Sequence, residues 1–142
     1  IRAQGCRVKF LLDNNLPPAL AKALNELSKI DNHQVVGLKE KFAPNTSDIE
    51  LVQQLKTEGN WVLVSKDKFS KGNMEKRAIR ESELAVFILA RQWQNAPYWD
   101  VAHNLVRWWP AITGQAERIS GGGVFKVAWR YSPPGKFEVL QV

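Results

Sequence analysis

The chain has 142 residues, 44% of them hydrophobic and 24% charged, a size and balance that support one domain with a buried core. Its apolar stretches are strand-sized and fall short of the about 18 residues that a membrane span needs. No secretory signal is visible, and the single cysteine, Cys6, leaves no disulfide framework and no thiolate zinc site. A formal net charge of +6 favours a polyanionic partner, and a reducing cytoplasm is the expected compartment.

Residues 1–6 carry no pattern and are expected to lie outside the fold, as a disordered or added end. Val8 to Leu12 is short, apolar and closed by Asp13-Asn14-Asn15, which predicts a buried strand. Pro17-Pro18 then suits a first helical turn, where proline has no donor to lose. The helix should run to about Ser28, with Leu20, Ala23, Leu24 and Leu27 on its buried face. Gln34 to Leu38 is a second strand, and Lys39 to Thr46 reads as a loop. Ser47 and Glu50 have the spacing of a capping box and open a second helix, which Glu58-Gly59-Asn60 ends. Trp61 to Ser65 is the third strand.

Between Lys66 and Arg80 six basic residues (Lys66, Lys68, Lys71, Lys76, Arg77 and Arg80) stand against two acidic ones, Asp67 and Glu75. Here the sequence predicts a helix over 73–81. Leu84 to Leu89 is a fourth buried strand, and 92–98 a loop or short turn. A long amphipathic pattern follows over 99–119, with Trp99, Ala102, Leu105, Val106, Trp109, Ile112 and Ala116 on one side. Pro110 should kink or split that helix. Trp93 and Trp108 fall off the stripe and are expected at the surface. After the break at Gly121-Gly122-Gly123, the segments 124–131 and 137–142 should form a hairpin around Ser132-Pro133-Pro134-Gly135. The expected organisation is α/β, with a mainly parallel sheet in one unit over 7–120 and an appended C-terminal hairpin over 121–142. That hairpin, with the tryptophan-bearing helix, is expected to offer a contact surface to another protein.

This order places Asp13 and Asp67 at the carboxyl ends of strands, and Asp48 at the start of a helix that links two strands. In a parallel sheet those positions converge on one crevice, where ligands bind. Carboxylates gathered there repel each other unless a cation sits between them, and hard oxygen donors select Mg²⁺ or Mn²⁺. Aspartate is also ordinary turn and cap chemistry, so the case rests on the coincidence of all three at one edge. Asp48 and Glu50 both sit in the first helical turn. Asp48 is the better placed of the two and Glu50 is held in reserve, because Glu50 also completes the capping box. Lys66, Arg77 and Arg80 are candidate phosphate contacts. His33 and His103 lack metal-ligand spacing and are expected to be structural.

The runs Leu12-Asp13-Asn14-Asn15-Leu16-Pro17-Pro18, Asn32-His33-Gln34-Val35-Val36, Ser47-Asp48-Ile49-Glu50 and Val62-Leu63-Val64-Ser65-Lys66-Asp67 resemble the signature of PIN-like domains. The similarity is to the toxin-type branch related to VapC ribonucleases, and the segments 73–89 and Trp108-Trp109-Pro110 extend it to about residues 7–119. The resemblance implies a three-layer PIN-like fold and a divalent-metal-dependent endoribonuclease that acts as the toxin of a type II toxin–antitoxin pair. Its site would be built on Asp13, on Asp48 or Glu50, and on Asp67. A fourth acid has three candidates, Glu75, Glu81 and Glu83. Implied partners are RNA (tRNA or rRNA) and a DNA-binding antitoxin; a homodimer is compatible. Implied products carry a 5′-phosphate and a 3′-hydroxyl. The chemistry agrees: metal ions roughly 4 Å apart can activate water and relieve charge on a phosphodiester in transition.

Two other readings use the same residues. A catalytically degenerate PIN-like RNA-binding or scaffold module would keep the fold without the cleavage. A receiver-type phosphoacceptor domain would also put acids at strand ends, but Leu12 precedes Asp13 and Asn14 follows it, so the adjacent acid pair is missing.

Overall fold

A computed structural model describes residues 8–13, 16–66, 81–119 and 122–140. The elements follow in the order β1 (Lys9–Leu12), α1 (Pro18–Ser28), a 3-10 turn (Lys29–Asp31), β2 (Gln34–Gly37), α2 (Leu38–Lys41), α3 (Asp48–Glu58), β3 (Trp61–Ser65), β4 (Ala85–Leu89), a second 3-10 turn (Arg91–Asn95), α4 (Tyr98–Arg118), β5 (Gly123–Val127) and β6 (Glu138–Leu140). The helix expected over 73–81 lies almost wholly outside the described residues.

Six strands form one sheet in the order β2-β1-β3-β4-β5-β6. β1 pairs parallel with β2 and β3, β3 with β4, and β4 with β5; among the described residues only β5 and β6 are antiparallel. Both faces of the sheet are covered, which is why its strands are nearly continuous apolar runs. Alternation along the strands divides the core. Phe10, Leu12, Val62, Val64, Phe87 and Leu89 face α1 and α4, with Leu24, Leu105 and Ile112. Leu11, Trp61, Leu63 and Val86 face α3, with Leu51, Val52 and Leu55. The result is the expected three-layer α/β arrangement with a C-terminal hairpin.

That hairpin is continuous with the central sheet. Phe125 sits opposite Phe87 in the β4–β5 register, their rings stack at 5.3 Å, and Val127 is fully buried. The break at Gly122 and Gly123 therefore leaves β5 paired within the sheet. Gly122, at φ +81°, allows close passage past Glu83: a Cβ there would come within 2.3 Å of the Glu83 carbonyl oxygen.

Two helical faces differ from the amphipathic reading. On α1 the buried residues are Leu20, Ala21, Leu24 and Ser28, while Ala23 and Leu27 point outward. On α4 they are Val101, Asn104, Leu105, Trp108, Trp109, Ile112, Thr113 and Ala116. Trp99 is 77% exposed, and Trp93 and Trp108 are at most 1% exposed, the reverse of the expected assignment. The connection between β5 and β6 causes the rotation. It lies over α4, where the Asn104 amide donates to the Trp129 carbonyl at 2.6 Å and Trp108 packs on Tyr131 and Phe137. Trp93 donates its indole N–H to the Val127 carbonyl. Pro110 does not split α4. The carbonyl it cannot serve belongs to Val106, on the open side of the helix. Leu38–Lys41, expected as loop, forms a single helical turn.

Candidate active site

The sheet order changes direction at β1: the chain moves outward to β2, then returns past β1 to β3. Crossovers on either side of that point leave a crevice outside the carboxyl ends of β1 and β3, the usual ligand position in open α/β sheets. Asp13 follows β1 directly. It is only 5% exposed, its amide donates to the Val64 carbonyl at 3.0 Å, and its carbonyl accepts from Leu16. Its carboxylate Oδ2 accepts a 2.6 Å hydrogen bond from the Ser65 hydroxyl, the last residue of β3. A carboxylate this deeply placed needs such donors, because desolvation of its charge is otherwise costly. Lys66 comes next on the chain, half-buried, and burial pushes its ammonium below the ordinary lysine value. A partly desolvated cation beside the crevice acts more strongly on a phosphate than one in water.

α3 carries the chain back from the carboxyl edge to the start of β3, so its first residue, Asp48, belongs to that edge; the Asp48 side chain lies outside the described residues. The sequence reading of the cap agrees with the structure. Ser47 Oγ accepts from the Glu50 amide at 3.1 Å, and the Glu50 carboxylate accepts from the Ser47 hydroxyl at 2.9 Å. Glu50 is thus engaged at the helix cap. Asp67, Arg77, Arg80 and Glu75 lie outside the described residues, as do Asn14 and Asn15. Glu81 and Glu83 precede β4, at the amino edge of the sheet. That is the edge opposite the one that carries Asp13, so neither residue adjoins it.

Two residues beside Asp13 stand outside the sequence expectation, Ser65 and Glu40. Ser65 ends a strand and is the one polar residue in Trp61–Ser65. Glu40 lies in the single helical turn Leu38–Lys41. It lines a small cleft of about 20 Å³ with Asp13, Leu16, Pro17, Gly37 and Lys39, and its Oε1 lies beside Gly37. Its signal was an acid three residues past the end of β2. Among the described residues, no three His, Cys, Asp or Glu side chains converge as a metal-holding group.

His33 is structural. It is buried, its Nδ1 accepts from the Val8 amide and its Nε2 lies 2.8 Å from Glu117. This pairing makes Nε2 the protonated nitrogen. His103 is exposed on α4.

The sequence model of the PIN like domain matches residues 8–91, a stretch that holds Asp13, Asp48, Ser65 and Asp67. The chain belongs to the PIN-like domain family. A PIN-like domain is a nuclease-type fold, and its match ends just after β4; α4, β5 and β6 complete the sheet and cover it beyond the matched region. No curated protein matches the chain. Among the described residues no helix is long and apolar enough to cross a membrane.

Proposed function

We propose that this PIN-like domain is a divalent-metal-dependent endoribonuclease, the toxin of a type II toxin–antitoxin pair of the VapC-related branch. The observation that carries the nuclease reading is Asp13: a buried carboxylate, held by Ser65, at the switch point of a parallel sheet in a basic chain.

The donor set suits Mg²⁺ or Mn²⁺ in kind. Asp13 offers a hard oxygen whose position is fixed by a neighbouring strand, and Asp48 and Asp67 are its proposed partners. Bound metal would supply an activated water and relief of charge on the phosphodiester. Ser65 orients Asp13. Lys66, Arg77 and Arg80 neutralise backbone phosphates and bring single-stranded RNA to the crevice. None of these side chains needs to act as a nucleophile. The toxin reading rests on the resemblance of the same segments to that branch; with it come a cytoplasmic setting, tRNA or rRNA as target and a DNA-binding antitoxin as partner.

The test is cleavage of a labelled RNA by wild type, Asp13→Asn and Asp67→Asn, each with Mn²⁺ and with chelator. Wild type should cut only with metal and leave 5′-phosphate ends, while both variants stay folded and lose at least about a hundredfold in rate. Cleavage by Asp13→Asn at the wild-type rate would remove the basis of the proposal. Growth arrest on expression, relieved by the product of a neighbouring reading frame, tests the toxin role separately.

A further inference from the structure

Leu27, Trp99 and Val106 occur at helical spacing with core residues and yet lie outside the core. Two of them border the same groove. It measures about 400 Å³, between the end of α1 with its 3-10 turn and the outer side of α4, and its walls include Leu27, Ile30, Asp31, Val106, Pro110 and Glu117. Ile30 is 87% exposed. An apolar surface of this kind on a folded domain marks an interaction site.

The groove has the form of a seat for a helix. Along α4, Trp99, His103, Val106, Pro110, Thr113 and Glu117 follow one another at steps of four, three, four, three and four residues, the spacing of a seam that receives a facing helix. The other flank of α4 is already covered by the β5–β6 connection. The end of α1 and its 3-10 turn supply the second wall, with Leu27 and Ile30 three residues apart.

Its charge selects the occupant. In a chain of net charge +6, the charged residues lining this groove are two carboxylates, Asp31 on one wall and Glu117 on the other. Glu117 faces His33, whose Nδ1 accepts a hydrogen bond from the Val8 amide. Of the cations at the ends of the two walls, Lys29 pairs with Glu26, and Arg118 donates to Gln115. We infer that this groove binds an amphipathic helix of a partner protein, with apolar anchors along one face and Lys or Arg on both flanks. The helix-in-groove mode supplies the apolar anchoring, and the two carboxylates favour the basic flanks and fix the partner's placement. The groove is remote from Asp13, because the 3-10 turn that forms one wall precedes β2 at the amino edge of the sheet. The inference does not depend on nuclease activity.

The probe is a helical peptide of about 18 residues, with leucines at alternating four- and three-residue steps and lysines on both flanks, compared with the same peptide carrying glutamates in place of the lysines. Binding to the full chain is followed by the indole N–H resonances. Trp109 lines the groove and donates to Ser28, whereas Trp93 is buried against β5. The lysine peptide should shift Trp109 and leave Trp93 in place, bind at least about tenfold more tightly than the glutamate peptide, and weaken with added salt. Val106→Asp should lower its affinity at least about tenfold, and Asp31→Lys should remove the preference for lysine; both residues are exposed, and both variants should melt as wild type. Equal affinity for the two peptides, an unmoved Trp109, or wild-type binding by Val106→Asp would overturn the proposal. So would a dimer in sedimentation velocity that Val106→Asp converts to monomer, because the occupant would then be a second copy.

Discussion

The Ser65 hydroxyl donates to Asp13 Oδ2 at 2.6 Å across two neighbouring parallel strands. The contact exists because Leu12 pairs with Val64 in the β1–β3 register, which brings the next residue of each strand to the same level at the carboxyl edge. Removing it should have a cost independent of any ligand. In Ser65→Ala the buried carboxylate loses one of its donors, and a hydrogen bond to a charged group contributes about 1.5–3 kcal/mol. Chemical denaturation should show a loss in that range. The melting-temperature rise given by Mn²⁺ in wild type should shrink in the variant, since Asp13 is no longer held. A variant as stable as wild type would mean that other donors fully serve Asp13.

Substitution of both Arg77 and Arg80 by alanine should weaken RNA binding and flatten its salt dependence. Each phosphate neutralised on a single strand adds about 0.7 to the log–log slope, so removing both guanidinium groups should reduce it by about 1.4. Fluorescence anisotropy over a salt series measures this directly. An unchanged slope would assign RNA entry to another surface.

Acid should weaken the fold through Glu58. The hydrogen bond from Lys41, then that from Gln54, with Trp61 also donating, lowers its carboxyl from 4.5 to about 2. A carboxyl with a folded value below its unfolded one stabilises fully above pH 4.5, and that contribution is lost as pH falls from 4.5 towards 2. Its side chain is 31% exposed, so solvent screening limits the effect to about 1 kcal/mol. The stability gap between wild type and Glu58→Gln, measured by urea denaturation, should be widest near neutral pH and close across that window. A gap that is constant with pH would show that the Lys41 pairing contributes nothing.

Truncation after Ser120 should unfold the chain. It removes β5, and with it Val124, Phe125 and Val127 from the two core faces, the acceptor of the Trp93 indole and the partner of the Ala90 amide. Loss of a cooperative thermal transition is the expected result. A truncated chain that melts cooperatively and still binds Mn²⁺ would restore the view of the hairpin as an independent appendage.

The sequence alone determined what local physics controls. Apolar runs bounded by Asp, Asn, Gly and Pro located the five parallel strands of the described residues to within a few residues, and the Ser47–Glu50 spacing determined a helix start that the structure reproduces bond for bond. The same signals put Asp13 at a strand end. Contacts between elements distant in the chain were decided only by the tertiary structure. The buried face of α4 depends on the β5–β6 connection lying over Asn104 and Trp108, which no helical periodicity encodes; hence Trp108 is buried and Trp99 exposed. That β5 joins β4 in the sheet depends on Gly122 passing close to Glu83, a clearance set by neither segment alone. Ser65 and Glu40 lie beside Asp13, and Glu81 and Glu83 at the opposite edge, because strand register and sheet direction determine which edge a side chain can reach.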